Sequence, residues 1–530
     1  MKSFYQKVKT PLWLIISGLL TSLTLIITEI GFLQWISLIP MALVLMRAAE
    51  NSEKKLRRLY GMGVLFFLAY YAVSFHWFFY MYPLDFAGLS NGVSLAVVLL
   101  ACLGLGLLQA VQSALLFLVY GLVARSSTIK NHKIIAPFLA ASLWVIFEWW
   151  QTIGWWGVPW ARMPLGQIDF ILLVRSASLF GSYFITFIIV AVNFCLGLAI
   201  SNGKIEKLGV IAAASLFCLN LVLGLVITLS YKESGEKVKV AAIQGNISSK
   251  EKWDIGLFET MDVYSTLTEN AVKDGADIVV WPETALPCVL FDDMMLTNDV
   301  SELASSNDAT IILSTFTEDE ETFERYNSII EVTRDGSFGE DIYSKQRLVP
   351  FGEFVPMRGL VSFLFPPLAD IGMLDEDLTP GESSVIIESE YGKIGSGICF
   401  DSIYETVILN AARNGAEFIV ISTNDSWFSD SAALDMHNSQ SRLRAIETGR
   451  YVVRSANTGI SSVIDPLGHV IGELGADERG YVIADITPRT QITLYTVIGN
   501  MIVYLCAAFV LFMIIIRVKN AVKSEVLKNS

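Results

Sequence analysis

Charge is scarce in this chain. Asp, Glu, Lys and Arg make up 17% of its 530 residues, and the mean hydropathy is +0.52. A soluble protein of this length has no use for so much apolar surface, which excludes that class and points to an integral membrane protein. Histidine is scarcer still. The four, His76, His132, His437 and His469, are scattered along the sequence, and the six cysteines contain no CxxC pair. Neither a zinc site nor a disulfide framework is patterned, and no metal or cofactor is expected. Cys102, Cys195, Cys218 and Cys506 fall in apolar runs, where a thiol is a small core side chain, and Cys288 reads the same way.

The charge that is present is unevenly placed. Residues 231–490 carry 44 acidic and 19 basic side chains, a net of −25, while the remainder of the chain nets +11. So acidic a region argues against nucleic acid as a partner.

Apolar stretches that could cross a bilayer (about 20 residues as helix) occur near residues 11–29, 31–47, 60–80, 91–123, 134–153, 170–200, 208–230 and 492–516. Eight spans put every basic cluster on one side: Lys2/Lys7/Lys9, Arg47 to Arg58, Arg125/Lys130/Lys133, Lys204/Lys207 and Arg517 to Lys528. The positive-inside bias makes that side cytoplasmic, with both termini on it. The acidic region then lies outside the cytoplasm, periplasmic where a cell has two membranes. The first stretch has a basic leader but no small-x-small cleavage signal after it, so it reads as a retained helix. The expected organisation is a transmembrane domain over 1–230 with seven helices, a catalytic domain over 231–490, and a last helix with a basic tail over 491–530.

The acidic region reads as α/β. Val238–Ile243, Asp277–Trp281 and Thr310–Ser314 have strand composition, residues 256–273 are helical, and Tyr326–Thr333 continues past Asp335-Gly336 as a hairpin. Asn270-Ala-Val-Lys-Asp-Gly275-Ala-Asp-Ile-Val-Val is echoed by Asn410-Ala-Ala-Arg-Asn-Gly415-Ala-Glu-Phe-Ile-Val. Each is a helix end, a glycine cap and a buried strand. Chance similarity is one reading. The other is a pseudo-symmetric α-β-β-α sandwich with functional groups at equivalent strand ends, Glu283 at one and Asn424-Asp425 at the other.

Three residues carry the chemistry. Cys399 closes the apolar, glycine-spaced run Lys393-Ile-Gly-Ser-Gly-Ile-Cys399, which turns abruptly polar at Phe400-Asp401-Ser402, as a strand ending in a nucleophile and a sharp bend would be written. A thiol must lose its proton to attack an ester. No histidine sits in a suitable motif, so the candidate base is a carboxylate, Glu283, in Trp281-Pro-Glu283-Thr284. Lys345, in Lys345-Gln-Arg-Leu-Val-Pro350-Phe-Gly-Glu353, supplies a cation where an oxyanion would develop, with the Phe400 N–H as a second donor. Glu353 would hold the ammonium or help bind an incoming amine.

These motifs, with Gln244-Gly-Asn246, Trp253, Asn424-Asp425-Ser-Trp427-Phe, Arg442-Leu-Arg444-Ala-Ile-Glu447 and Asn457-Thr-Gly459, resemble the bacterial apolipoprotein N-acyltransferase family of the nitrilase superfamily over nearly the full length. The resemblance implies catalysis by Glu283, Lys345 and Cys399 in the inner membrane. It implies transfer of the sn-1 acyl chain of a phospholipid, usually phosphatidylethanolamine, to the cysteine and then to the α-amine of a diacylglyceryl-cysteine on an apolipoprotein. Glu353, Phe400 and Asp401 become supporting residues, and Trp253, Phe354, Asn424 and Trp427 become substrate contacts. Many family members have Tyr then Glu after the nucleophile where this chain has Phe400 and Asp401, a hydroxyl lost and a carboxylate shortened, while the Phe400 N–H is unaffected. A monomer is the expected state.

Residues 351–373, with Phe354, Leu360 and Phe363, are too short and proline-broken to span; a buried loop and a mobile lid that admits lipid tails are the two readings. Glu148, among Trp144, Trp149 and Trp150, is an intramembrane carboxylate that needs a partner, for which Arg162 and Arg175 are candidates. Two rivals stay open: a tethered amidase whose acyl-enzyme is resolved by water, and a scaffold that binds without catalysis.

Overall fold

The computed structural model describes residues 2–50, 55–84, 89–201, 205–248, 256–364 and 377–529. The chain divides into two compact units. One comprises Met1–Phe79, Leu95–Ser230 and Ile498–Ser530, and the other Tyr80–Ser94 and Tyr231–Val497.

The first unit is helical. Among the described residues five stretches are long and apolar enough to cross a membrane: Thr28–Glu50, Asn91–Ala124, Ser182–Ile200, Lys207–Ser230 and Met501–Lys523. Thr10–Ile26 and Ile135–Trp150 are apolar but shorter. The expected span at 170–200 is not one helix. The backbone turns at Gly181, at φ 77°, and the continuous helix begins at Ser182.

The helix Lys207–Ser230 shows why such a unit belongs in lipid. Its buried positions are Gly209, Ala213, Asn220 and Gly224, while Ile211, Val222, Val226 and Leu229 are exposed. Small residues let neighbouring backbones approach, and large ones face out, the pattern of helices packed where water supplies no driving force. A Cβ at Gly224 would stand 1.8 Å from the Leu172 carbonyl oxygen. Asn220 spans the same interface, donating to the Leu173 carbonyl at 2.8 Å and accepting from Ser176 Oγ at 2.5 Å.

Glu148 is buried in the helix Ile135–Trp150, where it accepts from the Met163 N–H at 2.8 Å and Thr186 Oγ1 at 2.5 Å. Arg162 donates to Ser182 Oγ at 2.7 Å and lies over the Tyr183 ring. Arg175 bonds Thr228 Oγ1.

Among the described residues the second unit is built on thirteen strands. These are β1 (Val238–Gln244), β2 (Ile278–Val280), β3 (Leu286–Val289), β4 (Thr310–Glu318), β5 (Arg325–Val332), β6 (Phe338–Ser344), β7 (Ile386–Ser389), β8 (Gly392–Ile398), β9 (Phe418–Thr423), β10 (Val452–Ala456), β11 (Ser461–Ile464), β12 (Val470–Leu474) and β13 (Gly480–Ile486). One sheet runs β13-β1-β2-β4-β5-β6, with β3 beside β4, and the other runs β12-β11-β10-β9-β8-β7. The buried residues of the first sheet pack with the helices Leu257–Lys273 and Met294–Asn307 around Trp281, Tyr264 and Val300. The helices Glu405–Arg413 and Ala433–Thr448 pack on the second sheet. The layers are helix, sheet, sheet, helix.

The internal echo is structural. Gly275 and Gly415 both have positive φ, 96° and 100°. After them Ala276 N bonds Ala271 O at 3.0 Å and Ala416 N bonds Ala411 O at 3.1 Å. Asp277 N then pairs with Lys239 O on β1, and Glu417 N with Lys393 O on β8. Each repeat feeds a parallel strand, β2 beside β1 and β9 beside β8.

Candidate active site

Each of the three chemistry-bearing residues stands at the end of a strand. Glu283 follows β2, Lys345 follows β6, and Cys399 follows β8. The β8 glycines serve close packing: a Cβ on Gly395 would come within 2.8 Å of Ala416 Cβ, and one on Gly397 within 2.9 Å of Ile408 Cδ1. At Cys399 the backbone enters the left-handed region, φ 47°, and a 3₁₀ turn over Cys399–Ile403 begins. A non-glycine residue there is strained, a conformation concentrated at functional sites.

Lys345 is buried, and its Nζ donates to Glu283 Oε1 at 2.8 Å and to Glu353 Oε1 at 2.7 Å. Glu283 also accepts from Asn327 Nδ2 at 2.9 Å and, through Oε2, from the Asn424 backbone N–H at 3.0 Å. The second Glu353 oxygen takes the Val349 N–H at 2.8 Å. Burial alone would push the Lys345 ammonium toward neutrality. Glu283 and Glu353 more than offset that, with Cys399 acting in the same direction, and hold its pKa well above the ordinary value. Cys399 is half-buried. Desolvation and the Glu283 carboxylate push its thiol pKa up, while Lys345 and a hydrogen bond with Thr423 oppose them. Cys399 at rest is therefore a thiol, and to act as a nucleophile it would need a base.

Asp401 is buried and joins two parts of the site. Its Oδ1 accepts from the Arg347 N–H at 2.8 Å, just past Lys345. Its Oδ2 accepts from Tyr343 Oη at 2.7 Å and from the Ile398 N–H at 3.1 Å, just before Cys399. Burial pushes its carboxyl up to about 6, against the opposing pull of Lys345 and these donors. The Asp401 carboxyl thus has a definite place.

The remaining expected contacts are distributed differently. Asn424 meets the site through its backbone, and its side chain bonds Ser426 and Asn457. Phe354 is half-buried against Phe316, Leu348 and Leu378, in a small core. Phe400 sets its ring edge-on to Tyr404 at 5.4 Å. Trp427 is half-buried in the short turn Ser426–Phe428. Trp253 lies outside the described residues, as do residues 365–373 of the expected lid. In the described part of that segment, the helix Arg358–Leu364 exposes Leu360 and Phe363, and Arg358 is tied to Asp377.

Two features escaped sequence reasoning. Asn327, mid-strand on β5, donates to both Glu283 and Glu353, the latter at 3.4 Å. His437, one of the scattered histidines, is buried beside the Cys399 turn, with Nε2 3.2 Å from the Cys399 carbonyl oxygen. Its signal was available in the helix Ala433–Thr448. Nearly every residue of that helix is buried although the run Asp435-Met-His-Asn-Ser-Gln-Ser-Arg442 is almost wholly polar.

The paired sheets with an acid, a cation and a thiol at strand ends define a carbon-nitrogen hydrolase domain, and the family model described as carbon-nitrogen hydrolase matches residues 239–493. The model described as apolipoprotein N-acyltransferase N-terminal domain matches residues 17–195. The chain belongs to the apolipoprotein N-acyltransferase family. A relative of that name from Gloeobacter violaceus is 29% identical over 490 residues, covering 91% of this chain and 89% of the relative. Another from Geobacter metallireducens is 29% identical over 504 residues, covering 93% and 92%. A solved structure of a Saccharomyces cerevisiae member of branch 10 of the nitrilase superfamily is 24% identical, with a TM-score of 0.37, covering 49% of this chain and 94% of that one.

Proposed function

We propose that this protein N-acylates apolipoproteins through an acyl-enzyme on Cys399, with a membrane phospholipid as donor. One observation carries the mechanism. An ammonium has three protons, and Lys345 directs two of them at Glu283 and Glu353, at 2.8 and 2.7 Å, which leaves the third for a substrate oxygen.

Glu283 takes the thiol proton as Cys399 Sγ bonds to the ester carbonyl carbon. The carbonyl π electrons move to oxygen, and Lys345 and the Phe400 N–H meet the new charge; such donors typically contribute about 3–4 kcal/mol each. The C–O bond to the glycerol oxygen breaks, and Glu283 returns the proton to that oxygen, releasing a lysophospholipid. In the second half the acceptor amine attacks the thioester, Glu283 takes a proton from nitrogen, and the Cys399 thiolate leaves and recovers it. Glu353 fixes Lys345, and Asp401 fixes the two strand ends.

The location follows from the same reading. The helical unit crosses the inner membrane eight times with both termini cytoplasmic, and the domains divide at about 230 and 490. The acidic domain is periplasmic, supported by the one-sided basic clusters. Trp253, Trp427 and the apolar segment that carries Leu360 and Phe363 contact the lipid substrates, and the protein acts as a monomer.

The test is an assay in detergent with phospholipid and a diacylglyceryl peptide. Acyl-peptide formation, with little free fatty acid, supports the proposal. Fatty acid release at the same rate with or without the peptide would make the protein a hydrolase.

A further inference from the structure

Behind the Cys399 turn lies a buried polar cluster that the proposed chemistry does not use. His437 Nδ1 is 2.8 Å from Asp425 Oδ1, and Arg454 Nη2 donates to Asp425 Oδ2 at 2.6 Å. Thr423 Oγ1 donates to Asp425 Oδ1 at 2.9 Å. On the other side of the ring, His437 Nε2 is 2.9 Å from Ser402 Oγ and 3.2 Å from the Cys399 carbonyl oxygen, and Ser402 Oγ donates to that same carbonyl at 2.7 Å. All of these partners except Cys399 are at least nine-tenths buried.

The order Asp, His, Ser has the look of a hydrolytic triad, but Ser402 is fully buried and its hydroxyl is already engaged. What it can meet is the carbonyl of the nucleophile. That carbonyl belongs to the residue held at positive φ, a conformation that costs of order 1–3 kcal/mol and persists only where its surroundings enforce it. Ser402 has one hydroxyl proton, which it gives to the Cys399 carbonyl, so an Nε2–H of His437 donating to the Ser402 oxygen links ring to carbonyl. The ring is fixed in turn by Asp425, a carboxylate held by Arg454. Room for that carboxylate comes from Gly459, where a Cβ would stand 2.3 Å from Asp425 Oδ2. Asp425 follows β9 and Cys399 follows β8, strands in register with Ile398 opposite Ser422, so the cluster braces the nucleophile from the neighbouring strand.

We propose that His437, oriented by Asp425, is a positioning residue for the nucleophile: through Ser402 and the Cys399 carbonyl it holds the strained turn that presents the thiol to Glu283 and Lys345. This rests on Cys399 being the nucleophile. The charged groups around the ring are Asp425 and Arg454, with Glu283 and Lys345 beyond the thiol.

The test compares Ser402→Ala, His437→Leu and His437→Gln with the unmodified protein, in full length and in detergent. Iodoacetamide alkylation of Cys399, acyl-enzyme formation from phosphatidylethanolamine and thermal midpoint are measured on each. A displacement near 1 Å can cost about 100-fold. The expected result is a fall of about 10- to 100-fold in both thiol reactions for Ser402→Ala and His437→Leu, with KM for the acceptor peptide unchanged. His437→Gln, whose amide can still donate, recovers part of the rate. Should His437→Leu fail to fold, Ser402→Ala, which removes one oxygen, decides. Wild-type alkylation and acylation rates in the folded variants, whatever their thermal midpoints, would overturn the proposal. If stoichiometric alkylation of Cys399 left transfer intact in the unmodified protein, the nucleophile assignment would fall, and this inference with it.

Discussion

Lys345 Nζ lies 2.8 Å from Glu283 Oε1 with no more than 8% of either side chain exposed, so the cation and the acid form a buried ion pair. Two charges leave water at a cost of several kcal/mol each unless they are paired and hydrogen-bonded. Here Asn327, the Asn424 N–H and Glu353 complete the set. Removing the cation alone leaves two carboxylates facing each other in a buried space. Lys345→Met should therefore destabilise the domain by about 3–5 kcal/mol. The rate of acyl-enzyme formation in the surviving folded protein should drop by about 100- to 1,000-fold. Thermal unfolding and single-turnover acylation together check both.

The two carboxylates that share Lys345 should not be equivalent. Glu283→Gln removes the proposed proton acceptor and should slow thioester formation by about 100- to 10,000-fold. Glu353→Gln keeps an oxygen for the Val349 N–H and for the ammonium, and should slow it by about tenfold or less. Equal losses in the two variants, measured by single-turnover acylation, would show that Glu353 takes part in proton transfer.

Asp401 gives a pH signature. Its carboxyl sits at about 6 in the folded protein against an ordinary 3.8, because burial disfavours the charge. The folded state thus holds this proton more tightly than the unfolded chain. The stabilisation it provides is fully present below about 3.8 and is lost as pH rises through about 6, a swing of roughly 3 kcal/mol. Asp401→Asn cannot titrate. The unmodified protein should lose thermal stability relative to that variant as pH rises from 4 to 7, and parallel profiles would show that the carboxyl is not perturbed.

Much of the catalytic domain was legible because its signals are local. Glycines at 275 and 415, each between a helix and an apolar strand, mark the same unit twice, and the run ending at Cys399 announces its own turn. Asn327 was not legible, since a strand asparagine acquires meaning only when β5 brings it beside Glu283. His437 was hidden for a related reason: its partners, Asp425, Ser402 and Arg454, are 12, 35 and 17 residues away in sequence and meet only across the second sheet. Hydropathy also overran Gly181, because apolar composition continues through a turn that only backbone geometry reveals.

The exposed apolar side chains Leu360 and Phe363, at 50% and 81%, offer a handle on the lipid donor. Burying such a side chain in an apolar medium contributes about 1.5–3 kcal/mol. Leu360→Ser with Phe363→Ser should raise KM for phosphatidylethanolamine about tenfold or more and leave kcat within about threefold, as expected for binding made equally in ground and transition states. A change confined to kcat would remove these residues from donor binding.

The most direct test of the account is intact-mass measurement after incubation with labelled phosphatidylethanolamine and no acceptor. The account predicts a gain of one acyl group, mapped to Cys399, absent in Cys399→Ser and lost when a diacylglyceryl peptide is added. Transfer to the peptide by Cys399→Ser, or a labelled acyl group on any other residue that discharges at the catalytic rate, would contradict it.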